Sequence, residues 1–193
     1  MDTKQGIQEK GKKRSKKSAP YRVPRVLNKS QVEQLFSAVG PRDPSSDLIL
    51  IKCLFYLCLR ISEALSLTKK DFIKEFTEVR IRGKGGTDMV IPIPSVFRPE
   101  LKRYISRIME DTLFDIKRTT AWHRVKKYAG RAGLDSWVHP HTLRHSGATH
   151  LYKIRPDIKA LQRFLRHRSI SSTSIYTHVD LEQVRNLVNE GFK

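Results

Sequence analysis

Between His139 and Val179 the chain concentrates side chains that can move protons and hold anions. Six of its seven histidines fall in this stretch, with Arg144, Arg163 and Arg166 among them and a tyrosine, Tyr176, in a run of small polar residues. Imidazole titrates near neutrality, guanidinium grips phosphate oxygens with a planar fork, and a phenol can act as a nucleophile once its proton is drawn off. No cluster carries metal-ligand spacing, so the combination points to phosphate chemistry without a metal.

These residues need scaffolding that can be read from periodicity. A helix from about Thr142 places Leu143, Gly147, Leu151 and Ile154 on one stripe, with His141, Arg144 and His145 on the adjoining one. A second helix over 157–165 turns Ile158, Leu161 and Leu165 inward and ends at His167. Upstream, Leu27-Asn28-Lys-Ser-Gln31 has the order of a capping box, with Leu27 able to staple onto Val32. Val32, Leu35, Phe36 and Val39 then make the buried stripe of a first helix, which Gly40-Pro41 ends. The apolar run Leu48–Leu59 belongs to a second helix, starting near Ser46 or Asp47, that delivers Arg60. An arginine bracketed by apolar residues needs a counter-charge. Glu63, three residues on, can supply one, so Arg60 is equally an ion-pair partner of Glu63 or a phosphate ligand steered by it.

The segment 78–94 reads as a β-hairpin: Val79 and Ile81 alternate on one arm, Val90, Ile91 and Ile93 lie on the other, and the glycine-rich turn is Arg82-Gly83-Lys84-Gly85-Gly86-Thr87. The turn lacks the GxxxxGK[ST] spacing of a phosphate-binding loop, which excludes that class of nucleotide site. Pro99 fits the first turn of a helix reaching about Met109, with Leu101, Tyr104, Ile105 and Ile108 inward, and Leu113-Phe114 is a short buried piece. A helix from Thr119 or Thr120 buries Trp122, Val125, Tyr128 and Ala129 and carries His123, Arg124, Lys126, Lys127 and Arg131 outward. Leu181–Val188 is a short amphipathic helix that packs on its own core.

The 193 residues carry 38 Lys and Arg against 19 Asp and Glu, a formal charge of +19, which favours a polyanionic partner. Residues 1–25 hold nine basic against two acidic residues and no periodicity, the pattern of a segment disordered when free, either an arm that lies along phosphates or a solubilising tail, with the charge clustering favouring the arm. Lys12, Lys13, Arg14, Lys16 and Lys17 are its densest run. The apolar run of 12 residues is interrupted by Lys52 and is shorter than the ~20 residues a membrane-spanning helix needs. No signal peptide is visible, and Cys53 and Cys58 sit within the apolar run as buried thiols of a reducing compartment. A cytoplasmic, DNA-associated protein is the expectation.

Together, His141-Thr-Leu-Arg144-His-Ser, Ala148-Thr-His-Leu151, Leu165-Arg-His167 and Ile175-Tyr176-Thr-His-Val179 resemble the C-terminal signature of the tyrosine recombinases, the phage-integrase and Xer-type family. Leu57-Cys-Leu-Arg60-Ile-Ser-Glu63-Ala-Leu is similar to that family's first arginine motif, and Gly83-Lys84-Gly85 resembles the hairpin that carries its catalytic lysine. The resemblance spans about Leu27 to Val188. It implies an α+β, mostly helical catalytic domain over 26–193 with a small antiparallel sheet, preceded by the basic arm rather than by the family's separate DNA-clamping domain.

It also implies roles. Tyr176 is the nucleophile, and Arg60 and Arg144 clamp the phosphate. His167 adds a hydrogen bond, His141 transfers a proton near Tyr176 and Lys84 protonates the leaving oxygen. Glu63 steers Arg60, and His145 braces the second arginine. The basic face of Arg124, Lys126 and Lys127 turns toward DNA. The implied reaction is site-specific cleavage and rejoining of double-stranded DNA through a 3′-phosphotyrosyl link, independent of metal, cofactor and ATP. A homo-oligomer tied together by the C-terminal helix is implied too, with a further protein supplying any missing clamp. Two rival readings share these residues: a type IB topoisomerase-like enzyme, and a DNA-binding regulator that keeps the fold without catalysis. Two departures from the family pattern bear on the site. Arg166 replaces the usual glycine before His167, and either crowds that turn or adds a phosphate contact. Gly147 stands where a bulky apolar residue is common, which predicts looser packing of that helix.

Overall fold

The computed structural model describes residues 25–83, 88–134, 136–166 and 181–192. The basic arm, Lys84, His167 and Tyr176 lie outside the described residues. Eight helices and three strands are described: α1 Lys29–Ser37, α2 Ser45–Tyr56, α3 Ile61–Leu65, β1 Phe72–Ile73, β2 Glu78–Ile81, β3 Met89–Pro92, α4 Arg98–Ile105, α5 Arg118–Arg131, α6 Pro140–Ile154, α7 Ile158–Leu165 and α8 Leu181–Gly191. The strands form one antiparallel sheet in the order β1-β2-β3, with Val79 opposite both Phe72 and Ile91. The mostly helical architecture with a small antiparallel sheet is the one expected. β1 is an addition: with two residues it is too short to show an alternation in sequence.

The chain enters α1 as its sequence dictates. The Asn28 side chain accepts from the Gln31 backbone at 2.9 Å, and the Gln31 side chain accepts from the Asn28 backbone at 3.0 Å. Leu27 is buried, and its N–H donates at 2.8 Å to Ser146 Oγ on α6. The first helix is thereby pinned to the element that carries the histidine-rich signature.

The apolar run 48–59 is not one continuous helix delivering Arg60. α2 stops at Tyr56, Cys58 turns left-handed at φ 46, and Arg60 begins a new helix as the residue capping α3. The physical reason is packing. Leu57, Cys58 and Leu59 are all fully buried, and a continuing helix turns successive residues to different sides. The two thiols are free and buried, as expected, and burial pushes Cys58 up to about 12.

α2 and α6 make the most extensive helix–helix contact of the fold. The glycine at 147 sets their spacing. A Cβ there would lie 2.1 Å from the Phe55 carbonyl oxygen and 2.9 Å from Cys58 Sγ. Gly147 therefore tightens this interface, contrary to the looser packing expected of a missing bulky side chain. The apolar stripe of α6 is shorter than predicted: Leu143 and Leu151 are fully buried, but Ile154 is 49% exposed. On α7 Ile158 also faces out, and Ala160, Leu161, Phe164 and Leu165 form the buried side. α4 ends at Ile105, four residues before the expected Met109. On α5 the partner of Val125 and Tyr128 in the core is Ala121, while Trp122 is 42% exposed.

α8 packs against α6, α7 and β3, and Val184, Leu187, Val188 and Phe192 are buried. Phe192 sits among Phe55, Tyr56 and His150, with ring centroids 5.1–5.7 Å away. Arg185 reaches the buried Glu78 of β2 at 2.7 Å and so fastens the helix to the sheet.

Substituting Gly147→Ala should cost about 1–3 kcal/mol, because the obstructing atom is a backbone carbonyl that cannot rotate away. Urea unfolding of the wild type and the variant checks this, and unchanged stability would show that α2 and α6 can separate freely.

Candidate functional site: an arginine cluster on one carboxylate

The break between α2 and α3 creates the site. The capping residue of α3 is Arg60, and the third residue of the helix, Glu63, reaches back to it. The Arg60 N–H donates to Glu63 Oε2 at 2.7 Å, and Arg60 Nη1 donates to Oε1 at 2.7 Å. A glutamate in this position satisfies an otherwise open backbone donor of the first turn and complements the positive end of the helix. The Arg60 side chain is 41% exposed, so its guanidinium keeps a face toward solvent.

Arg144 arrives from α6, held there by the α2–α6 contact. It does not stand in an exposed row beside His141 and His145. It is buried, and its guanidinium donates to the Cys58 carbonyl at 2.5 Å through Nη1 and to the Leu165 carbonyl at 2.6 Å through Nη2. The left-handed turn at Cys58 is what presents that carbonyl. Glu63 Oε2 lies 3.5 Å from Arg144 Nη1. Burial, then the neighbouring Arg166 guanidinium, pulls the Arg144 pKa down to about 10, leaving it cationic at neutral pH.

Arg166 caps α7 in the left-handed region at φ 55. Its Nη2 donates to Glu63 Oε2 at 2.8 Å and to the Cys58 carbonyl at 3.1 Å, and its Nη1 donates to the Phe164 carbonyl at 2.8 Å. Three guanidiniums thus converge on one carboxylate, two positive charges in excess. Burial alone would raise the Glu63 pKa, but the Arg166 charge and the bonds from Arg166 and Arg60 outweigh it and hold the carboxyl below its usual value. The surplus charge, with Arg60 half-open to solvent, suits a phosphate.

His141 borders this cluster, and its side chain is exposed. Its pKa is lowered, first by partial desolvation against its neighbours and then by the charges of His139, Arg144, Arg118 and Arg60. His145 is lowered by burial, His141 and Arg144. Both shifts favour the neutral imidazole, the form able to accept a proton.

The structure therefore brings together Arg60, Glu63, His141, Arg144 and His145 from the expected set. Lys84, His167, Tyr176 and the arm residues Lys12, Lys13, Arg14, Lys16 and Lys17 lie outside the described residues. Where β2 runs into the turn, Arg82 reaches Asp71 at 3.5 Å and Thr68 at 3.4 Å. Sequence reasoning missed the carbonyls of Cys58 and Leu165, which leave no side-chain signal. Arg166 did leave one, as an arginine standing before a histidine where glycine is usual.

The basic face of α5 is largely committed to the fold. Arg124 pairs with Asp47 at 2.5 Å, and Tyr128 donates to the same carboxylate at 2.7 Å, while Asp47 is only 2% exposed. Lys127 and Arg131 both bind Asp43, at 3.0 and 2.5 Å, and Lys126 bonds the Ser136 carbonyl while lying over the Trp122 ring. Among the described residues no cluster of metal-ligating side chains occurs, and no helix is long and apolar enough to cross a membrane.

Residues 25–183 match the model of the phage integrase family. The chain belongs to that family. It is 35% identical over 181 residues to the tyrosine recombinase XerD of Shewanella oneidensis, covering 86% of this chain and 60% of the relative. It is 33% identical over 197 residues to the tyrosine recombinase XerA of Pyrococcus furiosus, covering 95% of this chain and 68% of the relative. Among solved structures, a XerH site-specific recombinase bound to difH substrate in a pre-cleavage complex superposes with a TM-score of 0.67 at 26% identity, over 87% of this chain and 55% of that one. The chain spans about 60% of the length of the XerD relatives it matches.

Arg124→Ala should destabilise the protein by about 2 kcal/mol or more, since it strands a buried carboxylate, whereas His123→Ala on the exposed side of α5 should change stability by less than about 0.5 kcal/mol. Thermal unfolding of both variants distinguishes a fastening role for Arg124 from a purely DNA-facing one.

Proposed function

We propose that this chain is the catalytic portion of a site-specific DNA recombinase that cuts and rejoins double-stranded DNA through Tyr176. The observation that carries the reading is the convergence of Arg60 and Arg144, from two different helices, in a net cationic cluster that Arg60 leaves partly open to solvent. Family membership and the names of the XerD and XerA relatives support the same conclusion.

In this mechanism Arg60 and Arg144 hold the non-bridging oxygens of the scissile phosphate, where negative charge builds up as phosphorus becomes five-coordinate. Tyr176, with a reference pKa near ~10, loses its proton to a neutral imidazole, for which His141 is the candidate. The phenolate oxygen bonds to phosphorus, the bond from phosphorus to the 5′ oxygen breaks, and Lys84 gives that oxygen a proton. His167 donates a hydrogen bond to the phosphate. The 3′-phosphotyrosyl product conserves the ester bond, so a 5′-hydroxyl from another strand reverses the step without ATP. Glu63 and His145 support the arginines from behind.

DNA is the partner of this reaction, with residues 1–25 contributing phosphate contacts and Lys126 and Lys127 of α5 adding to them only by exchanging their bonds to Ser136 and Asp43. A multimer on two sites completes the exchange. α8 packs within its own chain here, and its transfer to a neighbouring protomer would couple adjacent sites.

The direct test is a covalent trap. The protein is mixed with a random-sequence pool of nicked duplexes whose short cleaved fragment diffuses away, then quenched in SDS, and the protein-bound DNA is sequenced. An adduct that forms with the wild type and is lost in Tyr176→Phe, Arg60→Ala and Arg144→Ala is the expected result. DNA binding without any adduct would favour a non-catalytic regulator. Strand exchange between two labelled duplexes then separates recombination from topoisomerase-like relaxation.

The adduct rate should also fall on acidification with a midpoint below the ordinary histidine value of 6.5. A base must be unprotonated to act, and the lowered pKa of His141 keeps it so to lower pH. A midpoint above 6.5 that survives in His141→Gln would remove His141 from the role of base.

A further inference from the structure

Arg166 sits at a position where an arginine is doubly unfavourable. Its backbone is left-handed at φ 55, a conformation that glycine adopts freely and other side chains resist. Its Nε is buried without a hydrogen-bond partner among the described residues, although the side chain is only 5% exposed. A glycine would close α7 with neither penalty. The reason for a guanidinium must lie at its far end, where Nη2 meets Glu63 Oε2 at 2.8 Å.

That oxygen is the one nearest Arg144, whose Nη1 stands 3.5 Å away. Two cations thus compete for one carboxylate oxygen, and Arg166 holds the shorter bond. Without it, Arg144 would be the one guanidinium left beside that oxygen, which the Arg60 N–H also bonds. Opposite charges in a buried setting attract strongly, so the carboxylate would close onto Arg144. An arginine neutralised by a carboxylate holds a phosphate less well than one bound only to carbonyls. In the structure, Arg144 is held mainly by the carbonyls of Cys58 and Leu165, which orient it and leave its charge uncancelled.

We propose that Arg166 is a positioning residue of the phosphate site: it occupies the Glu63 carboxylate and so keeps it off Arg144, leaving the Arg144 charge for a DNA phosphate. This rests on reading Arg60 and Arg144 as the phosphate-holding pair. Arg166 itself need not touch DNA.

The test compares the wild type with Arg166→Gly, Arg166→Lys, Glu63→Gln, Arg144→Ala and the double variant Arg166→Gly/Glu63→Gln. Adduct formation is measured on a single nicked duplex taken from the trap. Binding of inorganic phosphate at constant ionic strength is measured beside it, since that needs neither Tyr176 nor a DNA sequence. Arg166→Gly suits the left-handed cap and should keep the wild-type melting temperature to within a few degrees. Its adduct rate should fall about tenfold or more and its phosphate affinity should weaken, with DNA affinity unchanged. Arg166→Lys should retain an intermediate rate. The decisive result is suppression in phosphate affinity: removing the carboxylate in the double variant should restore most of the affinity lost in Arg166→Gly, and Glu63→Gln alone shows what loss of the Arg60 anchor costs in rate.

Wild-type rate and phosphate affinity in Arg166→Gly would overturn the proposal. So would a double variant that binds phosphate no better than the single one, because a merely structural ion pair predicts no rescue. If Arg144→Ala cleaves and binds phosphate like the wild type, the phosphate-clamp reading itself fails. If Arg144→Ala is inactive while Arg166→Gly is normal, the clamp reading stands and only the role of Arg166 falls.

Discussion

The Glu63 carboxylate is the interaction on which the site depends. One part-buried acid holds the guanidinium and backbone of Arg60, anchors Arg166 and lies at the edge of Arg144. Three guanidiniums brought this close would repel one another, and a single carboxylate with the carbonyls of Cys58, Phe164 and Leu165 holds them while leaving a cationic surplus. Full neutralisation would give a more comfortable ion-pair network and a poorer anion site. The tension is visible in the lowered pKa of Arg144 and in the Arg166 Nε, which has no partner among the described residues.

That arrangement requires three separate backbone decisions. α2 must stop at Tyr56 so that Arg60 can start a new helix with Glu63 folding back on it. Cys58 must turn left-handed so that its carbonyl faces Arg144 and Arg166. α6 must approach α2 closely enough for Arg144 to reach that carbonyl, which the absence of a side chain at Gly147 permits. None of these is chemistry, yet each fixes where a guanidinium stands. The remaining elements hold this frame: Leu27 bonds to Ser146, Asp47 ties α5 to α2, and Arg185 fastens α8 to the sheet.

A strongly basic protein need not spend every cation on its partner. On α5, Arg124, Lys127 and Arg131 are matched to Asp43 and Asp47, whose carboxylates lie far away in sequence. Lys127 and Arg131 hold Asp43 well below the usual carboxylate range. The positive surplus therefore concentrates elsewhere, most clearly at the Glu63 cluster and, by sequence alone, in residues 1–25.

Local signals were legible from the sequence because they are carried by residues close together in the chain. The capping box at Asn28, the hairpin arms, the buried thiols and the Arg60–Glu63 pair all depend on spacings of a few residues, and each appears as read. The order of motifs also named the family, since side-chain types in a fixed order survive in sequence even where packing does not. What only the tertiary structure decided rests on contacts across long separations or on backbone groups that have no letter of their own. The inward turn of Arg144, the role of the Cys58 carbonyl, the tightness at Gly147 and the pairing of Arg124 with Asp47 are of that kind. A period of 3.6 residues says which side chains share a face. Which face is buried, and which charge on it finds a partner, is settled by what the rest of the chain packs against it.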